Sequence, residues 1–173
     1  ERVTKLAPAF GPGWDYLALS RSWIAEDLGQ TSPARSAAVR SARKAIAMAR
    51  KLNPKSAMTY DAEFHLINGD SFRGLPILEQ GAKLDPDDGR IQMHLSDAYQ
   101  SVGRMSDSVQ AGQRGVELEP DAPYTQQQYI FALVYSGQFS KAKAEIAKAR
   151  AKWPNDFVID FADFDFQSRY GDQ

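Results

Sequence analysis

The chain is expected to be all-α, an array of antiparallel helical hairpins stacked side by side. Three observations predict this. Prolines close a repeated stop at Leu52-Asn53-Pro54, Leu84-Asp85-Pro86, Leu118-Glu119-Pro120 and Trp153-Pro154, at intervals of 32, 34 and 34 residues, and a period of about 34 is that of helix–turn–helix solenoids. Between the stops the apolar residues recur at i, i+3, i+4 and i+7, a helical period. The alternation that marks strands is essentially absent.

The elements follow in order. Helices are expected over 13–28, 33–52, 56–68, 71–84, 88–102, 105–118, 122–136, 139–152 and 155–169. Ser32-Pro33 reads as an N-cap followed by the first helical position. Gly69, Gly103 and Gly137 end first helices, because glycine tolerates the left-handed conformation found there. Small residues lie midway along the second helices, where two backbones approach: Gly74 and Gly81, then Ser108, Gly112 and Gly115, then Ala142 and Ala149. Each proline then stops its helix, having no N–H to continue the ladder. Asp121 and Asn155 are expected to cap the helices after their prolines.

Composition bounds the function. The apolar fraction is 43%, the charged fraction 25% and the net charge −1, ordinary for a globular chain and with nothing global to attract nucleic acid or an anionic membrane. With no cysteine, disulfides, thiolate catalysis and Cys-based zinc sites are excluded. No apolar run approaches the length of a membrane span, and no signal-peptide pattern is present. The chain opens at Glu1, which reads as an excised domain or a processed product. A cytoplasmic setting is expected over a periplasmic one.

Aligned on the prolines, the third unit reads Leu95, Tyr99, Gly103, Ser108, Gly112, Gly115, Pro120, and the fourth Tyr129, Leu133, Gly137, Phe139, Ala142, Ile146, Ala149, Pro154. These residues resemble the tetratricopeptide repeat (TPR) family. The resemblance implies one TPR-like domain over 1–173, with repeats at 13–54, 55–86, 87–120 and 121–154 and a terminal helix at 155–169, wound as a right-handed superhelical solenoid. The first repeat is stretched: Trp14 lies 40 residues before Pro54, farther than a whole repeat of about 34. That stretch, with Pro8-Ala9-Phe10 before it and an Ala-rich second helix, resembles the C-terminal TPR arrays of bacterial winged-helix or cyclase-type regulators. The Gly and Ser at second-helix alanine positions in the middle repeats are expected to loosen those helices, at about 1 kcal/mol for Gly against Ala.

Motifs that carry chemistry are few. His65 and His94 are expected to be packing or surface histidines, without converging ligands. Asp85, Asp87, Asp88 and Gly89 superficially suggest a calcium loop, but Pro86 breaks the alternation and the closing Glu is missing. A helix N-terminus explains them better. No phosphate-binding glycine loop or nucleophile elbow is present, so no enzyme is expected, and neither cofactor nor metal. The basic stretches Arg35, Arg40, Arg43, Lys44, Arg50, Lys51 and Lys141, Lys143, Lys148, Arg150, Lys152 read as solvated outer faces, since no aromatic residues interleave to stack bases.

The resemblance places the binding surface on the inner groove lined by first helices. By register, Arg90, Met93 and Asp97 of the third repeat and Tyr124, Gln127, Phe131, Val134 and Tyr135 of the fourth face it. Aromatics and a Met among polar neighbours suit an extended peptide or a partner helix. In the terminal helix, Phe157, Phe161 and Phe164 share one face, expected to cap the last hairpin, while Ile159, Phe166 and Tyr170 are expected to be partly exposed. Phe161, Phe164, Phe166 and Tyr170 are the candidate self-association residues, through which a second copy would pair. The expected function is a non-catalytic scaffold that binds a protein segment in its groove, within a larger bacterial regulatory protein. Neither nucleic acid nor membrane is an expected partner. The alternative is a small-molecule-sensing domain of a transcriptional regulator, with a pocket near Trp14, Trp23 and Tyr60.

Overall fold

The computed structural model describes residues 1–28 and 32–171. The described residues form helices α1 (Arg2–Leu6), α2 (Gly11–Asp27), α3 (Pro33–Leu52), α4 (Pro54–Ile67), α5 (Ser71–Leu84), α6 (Gly89–Ser101), α7 (Met105–Leu118), α8 (Pro123–Tyr135), α9 (Phe139–Lys152) and α10 (Phe157–Tyr170), and no strand. Nine of these match the expected helices to within a few residues. The short α1 was not expected. The chain divides into two compact units, Glu1–Leu84 and Asp85–Gln173, at the Leu84-Asp85-Pro86 stop.

In the first unit α2 packs on α3, α4 packs on both, and α5 pairs with α4. Its core is Ala18, Ala42, Ala45, Ile46 and Phe64, with Trp14, Leu17 and Val39 against it. Alanines dominate because small side chains let the long α2 and α3 approach closely. Trp14 Nε1 donates to the Pro8 carbonyl at 2.8 Å, tying the segment before α2 to that helix. Pro54 opens α4 directly at its first turn, where its missing N–H would have had no partner.

In the second unit α6 pairs with α7 and α8 with α9, α8 packs on α6 and α7, and α10 closes against α8 and α9. The core is Ile130, Leu133, Val134, Ala142, Ile146, Ala149, Ile159, Ala162 and Phe166. The α6–α7 crossing carries a polar clasp: Ser96 Oγ donates to the Ser108 carbonyl at 2.9 Å, and Ser108 Oγ donates back to the Ser96 carbonyl at 2.8 Å. Gly112 and Gly115 are the close-approach positions of α7. A Cβ on Gly115 would lie 2.9 Å from Thr125 Cγ2, and one on Gly112 3.1 Å from the Tyr129 backbone. The middle-repeat glycines thus set how near α8 comes.

Gly69, Gly103 and Gly137 have φ of 75°, 80° and 76°, and a Cβ there would meet nothing within 4 Å. The backbone sign, not space, therefore selects glycine at these three turns. Two caps differ from expectation. Asp156, not Asn155, caps α10, accepting from the Val158 and Ile159 amides, while Asn155 takes a left-handed φ of 63° before it. Asp121 caps nothing; the N-cap of α8 is Ala122, and Asp121 pairs with Lys152 at 2.7 Å. Asp88 does cap α6, accepting from the Arg90 and Ile91 amides.

The facing of α10 is the reverse of that expected. Ile159, Ala162, Asp163 and Phe166 are buried, while Phe157, Phe161 and Phe164 are exposed. Both sets lie at helical spacing, so periodicity alone does not choose between them. Ala162 decides it: a small residue there lets α10 seat against α8 and α9, with Ile159 and Phe166 on either side. Asp163 on the same face pairs with Arg150 of α9, which matches the buried carboxylate that this orientation creates.

Candidate functional site

The exposed face left by that rotation is the strongest candidate surface of the second unit. On α8, Phe131 meets Tyr135 edge-on at 6.5 Å between ring centroids. Phe131 also meets Phe161 of α10 at 6.2 Å and 86°, and Phe161 stacks with Phe157 at 6.4 Å and 23°. Gln127 fixes the two helices in register by donating its Nε2 to the Val158 carbonyl at 3.0 Å. Four rings thus form a continuous strip across α8 and α10. Phe157 is 78% exposed and Phe164, one turn beyond Phe161, 70% exposed. Tyr124, at the start of α8, is also exposed.

Clustered rings in water are the unusual feature of this surface. Each edge or stacked contact contributes about 0.5–1.5 kcal/mol, so the rings hold one another in place, with Phe131 seated against the core and Tyr135, Phe161 and Phe157 each leaving a face in water. Asp160 lies on the same exposed face of α10 between Phe157 and Phe161, and its carboxylate has no cationic partner among the described residues. The surface therefore offers flat apolar area beside an uncompensated negative charge.

The residues expected in the groove do not all reach it. Gln127, Phe131 and Tyr135 are brought together with Phe161. Val134 is turned into the core, 2% exposed, and is not available to a partner. It lies three residues past Phe131, and α8 is apolar on more than one side, so register alone misplaces it. Arg90 sits at the first turn of α6, 3.7 Å from the Asp88 carboxylate. Met93 and Asp97 are half-buried along α6, and burial raises the Asp97 pKa above its ordinary value. Of the candidate self-association residues, Phe161 and Phe164 are exposed. Phe166 is buried in the core, and Tyr170 stacks on Phe139 at 4.6 Å, so these two contribute to folding instead. Phe157 was assigned to the capping face and in fact opens the strip. Ala162, the one alanine on α10, is the signal that could have found it.

The first unit has a separate cavity of about 320 Å³, lined by Arg43, Ile46, Ala47 and Arg50 of α3, Asp61, Phe64 and His65 of α4, and Arg73 of α5. It is not formed by Trp14, Trp23 and Tyr60: Trp14 packs against the core, and Trp23 is exposed on α2. Arg50 pairs with the buried Asp61. Asp70 Oδ2 lies 3.3 Å from Arg73 Nε and 3.7 Å from His65 Nδ1. The Arg43 guanidinium lies over the Phe64 ring, 5.7 Å from its centroid. Part of each basic stretch thus acts between helices: Arg50 and Arg150 each match a buried aspartate on the next helix, while Lys152 donates to the Pro120 carbonyl at 2.6 Å.

Among the described residues no three His, Asp or Glu side chains are grouped to hold a metal ion, and no helix is long and apolar enough to cross a membrane.

No protein-family profile matches the chain. No curated protein matches it in sequence. Solved structures do. A chain of MamA from Desulfovibrio magneticus RS-1, running from its position 41 to the end, is similar at a TM-score of 0.60 and 21% identity, over 71% of this chain and 72% of that one. The RS-1 MamA ArsTM double mutant is similar at a TM-score of 0.61 and 18% identity, over 86% of this chain and 78% of that one. A point mutant of MamA is similar at 0.59 and 16%, over 91% and 88%. At these identities the likeness shows the fold: all-α, TPR-like pairs of antiparallel helices.

Proposed function

We propose that this chain is a non-catalytic protein-interaction module, and that its second unit holds a segment of a partner protein on the aromatic strip of α8 and α10. The observation that carries the reading is the strip itself: a half-buried Phe131 anchors ring contacts that run out to the exposed Tyr135, Phe161 and Phe157. Aromatic side chains in a preformed cluster are the usual anchors of binding energy at interfaces. The TPR-like fold supports the same reading, since repeat folds present extended surfaces of this kind, although a fold alone names no partner. Asp160 beside the rings favours a segment that brings apolar side chains together with Lys or Arg, the cation resting on a ring face or on the carboxylate. A regulatory host protein remains part of the proposal, resting on the stretched first repeat.

The test is selection of displayed random peptides against the chain, followed by fluorescence titration of the enriched sequences. Peptides with apolar and basic residues in one short segment should emerge. Phe161→Ser and Phe157→Ser should each weaken them by about tenfold or more, as expected for loss of an anchor worth about 2 kcal/mol. Enriched peptides that bind both variants unchanged would place binding elsewhere. Light scattering of the free chain, read beside the titration, reports whether a second copy occupies the strip: a dimer lost in Phe161→Ser would make the partner the chain itself.

A further inference from the structure

We propose that the first unit carries a second, independent binding site, for the phosphate group of a small phosphorylated molecule, in the cavity between α3, α4 and α5. The inference goes beyond the partner-binding surface and shares no residue with it.

The argument is one of charge and donor geometry. Three guanidiniums, Arg43, Arg50 and Arg73, and the His65 imidazole line a space of about 320 Å³, at the lower end of the range of small-molecule sites. Two carboxylates answer them. Asp61 is committed to Arg50, and the single Asp70 is shared between Arg73 and His65. Arg43 pairs with no carboxylate among the described residues; its guanidinium lies over the Phe64 ring instead. A guanidinium whose partner is an aromatic ring and not a carboxylate keeps N–H donors for another acceptor. The three guanidiniums thus exceed the two carboxylates by one positive charge.

A phosphate monoester fits that excess, carrying about −1.5 to −2 charges near neutral pH and three strong acceptor oxygens. A carboxylate, with one charge and one plane, engages a single guanidinium fork and leaves the other donors idle. Ile46, Ala47 and Phe64 supply an apolar wall for the rest of a small ligand. Part of the lining is fixed: the carboxylate that holds Arg50 is 7% exposed, and Phe64 is 3% exposed and edge-on to His65 at 5.4 Å.

The experiment is isothermal titration of the full chain at fixed ionic strength with phenyl phosphate, inorganic phosphate and succinate. Both phosphate probes should bind saturably, and succinate about tenfold more weakly or worse, as loss of one charge-assisted hydrogen bond implies. Arg43→Gln and Arg73→Gln should each weaken phenyl phosphate by about tenfold, with helical circular dichroism unchanged. Arg114→Gln, on the second unit, should leave it unaltered. Heats that never saturate, equal affinity for succinate, or phenyl phosphate binding retained in both Arg43→Gln and Arg73→Gln would overturn the proposal. Peptide binding by Phe161→Ser is read separately, so either site can fail without the other.

Discussion

Burial pushes the His94 imidazole down to about 4, Arg90 nearby adds to the shift, and Asp88 opposes it. The folded chain therefore holds this side chain neutral while the unfolded chain protonates it near its ordinary value of 6.5. Because the folded pKa is the lower one, stability is lost as the pH falls from about 6.5 to about 4, and this group adds no further loss below that. Asp97, one turn along α6, acts in the opposite sense. Burial raises its pKa, so the folded chain takes up that proton first and gains stability as the pH falls through its folded value. The histidine effect is on the order of 3 kcal/mol at most. Urea midpoints at pH 7 and 4.5 should fall steeply with acid in the native chain and much less in His94→Gln. Equal slopes in the two would mean that His94 does not drive the acid loss.

Elements in this fold are joined by small matched pairs, and α9 with α10 shows their asymmetry. Asp163 is buried while its partner Arg150 is more than half exposed, and Gln167 also donates to the same carboxylate at 3.2 Å. Removing the arginine strands a buried charge; removing the aspartate leaves only a solvated guanidinium. Arg150→Gln should therefore destabilise by about 2–3 kcal/mol and Asp163→Asn by about 1 kcal/mol, read from urea unfolding. The reverse order would show that Asp163 is better solvated than its burial implies. Arg50 and Asp61 repeat the arrangement between α3 and α4. The same paired positions explain why α10 was misread: the buried aspartate and the alanine beside it mark the packed face, whereas counting phenylalanines marks the wet one.

At the scale of the molecule, each unit has its own apolar core, Ala-rich in Glu1–Leu84 and built on branched and aromatic side chains in Asp85–Gln173. Alanine buries little apolar area per residue, so at about 25 cal/mol per Å² the second core contributes more. A fragment covering Asp85–Gln173 should then remain helical and unfold cooperatively in urea by itself. A fragment that is unfolded at neutral pH would show that its core is insufficient without the preceding repeats. The repeat period, the nine long helices and the glycine-ended first helices were legible in the chain because they depend on local rules: proline stops, positive φ at Gly69, Gly103 and Gly137, and apolar spacing.

What the sequence determined by itself is therefore the class of fold and the phase of its repeat, since backbone preferences act on neighbouring residues whatever lies beyond them. Only the tertiary structure decided which residues meet water. Val134 and Phe161 both sit at helical spacing among apolar neighbours, yet one is enclosed by α9 and α10 and the other stands on the surface. The cavity beside Arg43, Arg50 and Arg73 likewise gathers residues from three helices, and no spacing along the chain records that they converge. Exposure is a property of how helices seat on one another, and the seating is set by small residues such as Ala162 and Gly115, whose influence comes from the bulk they lack.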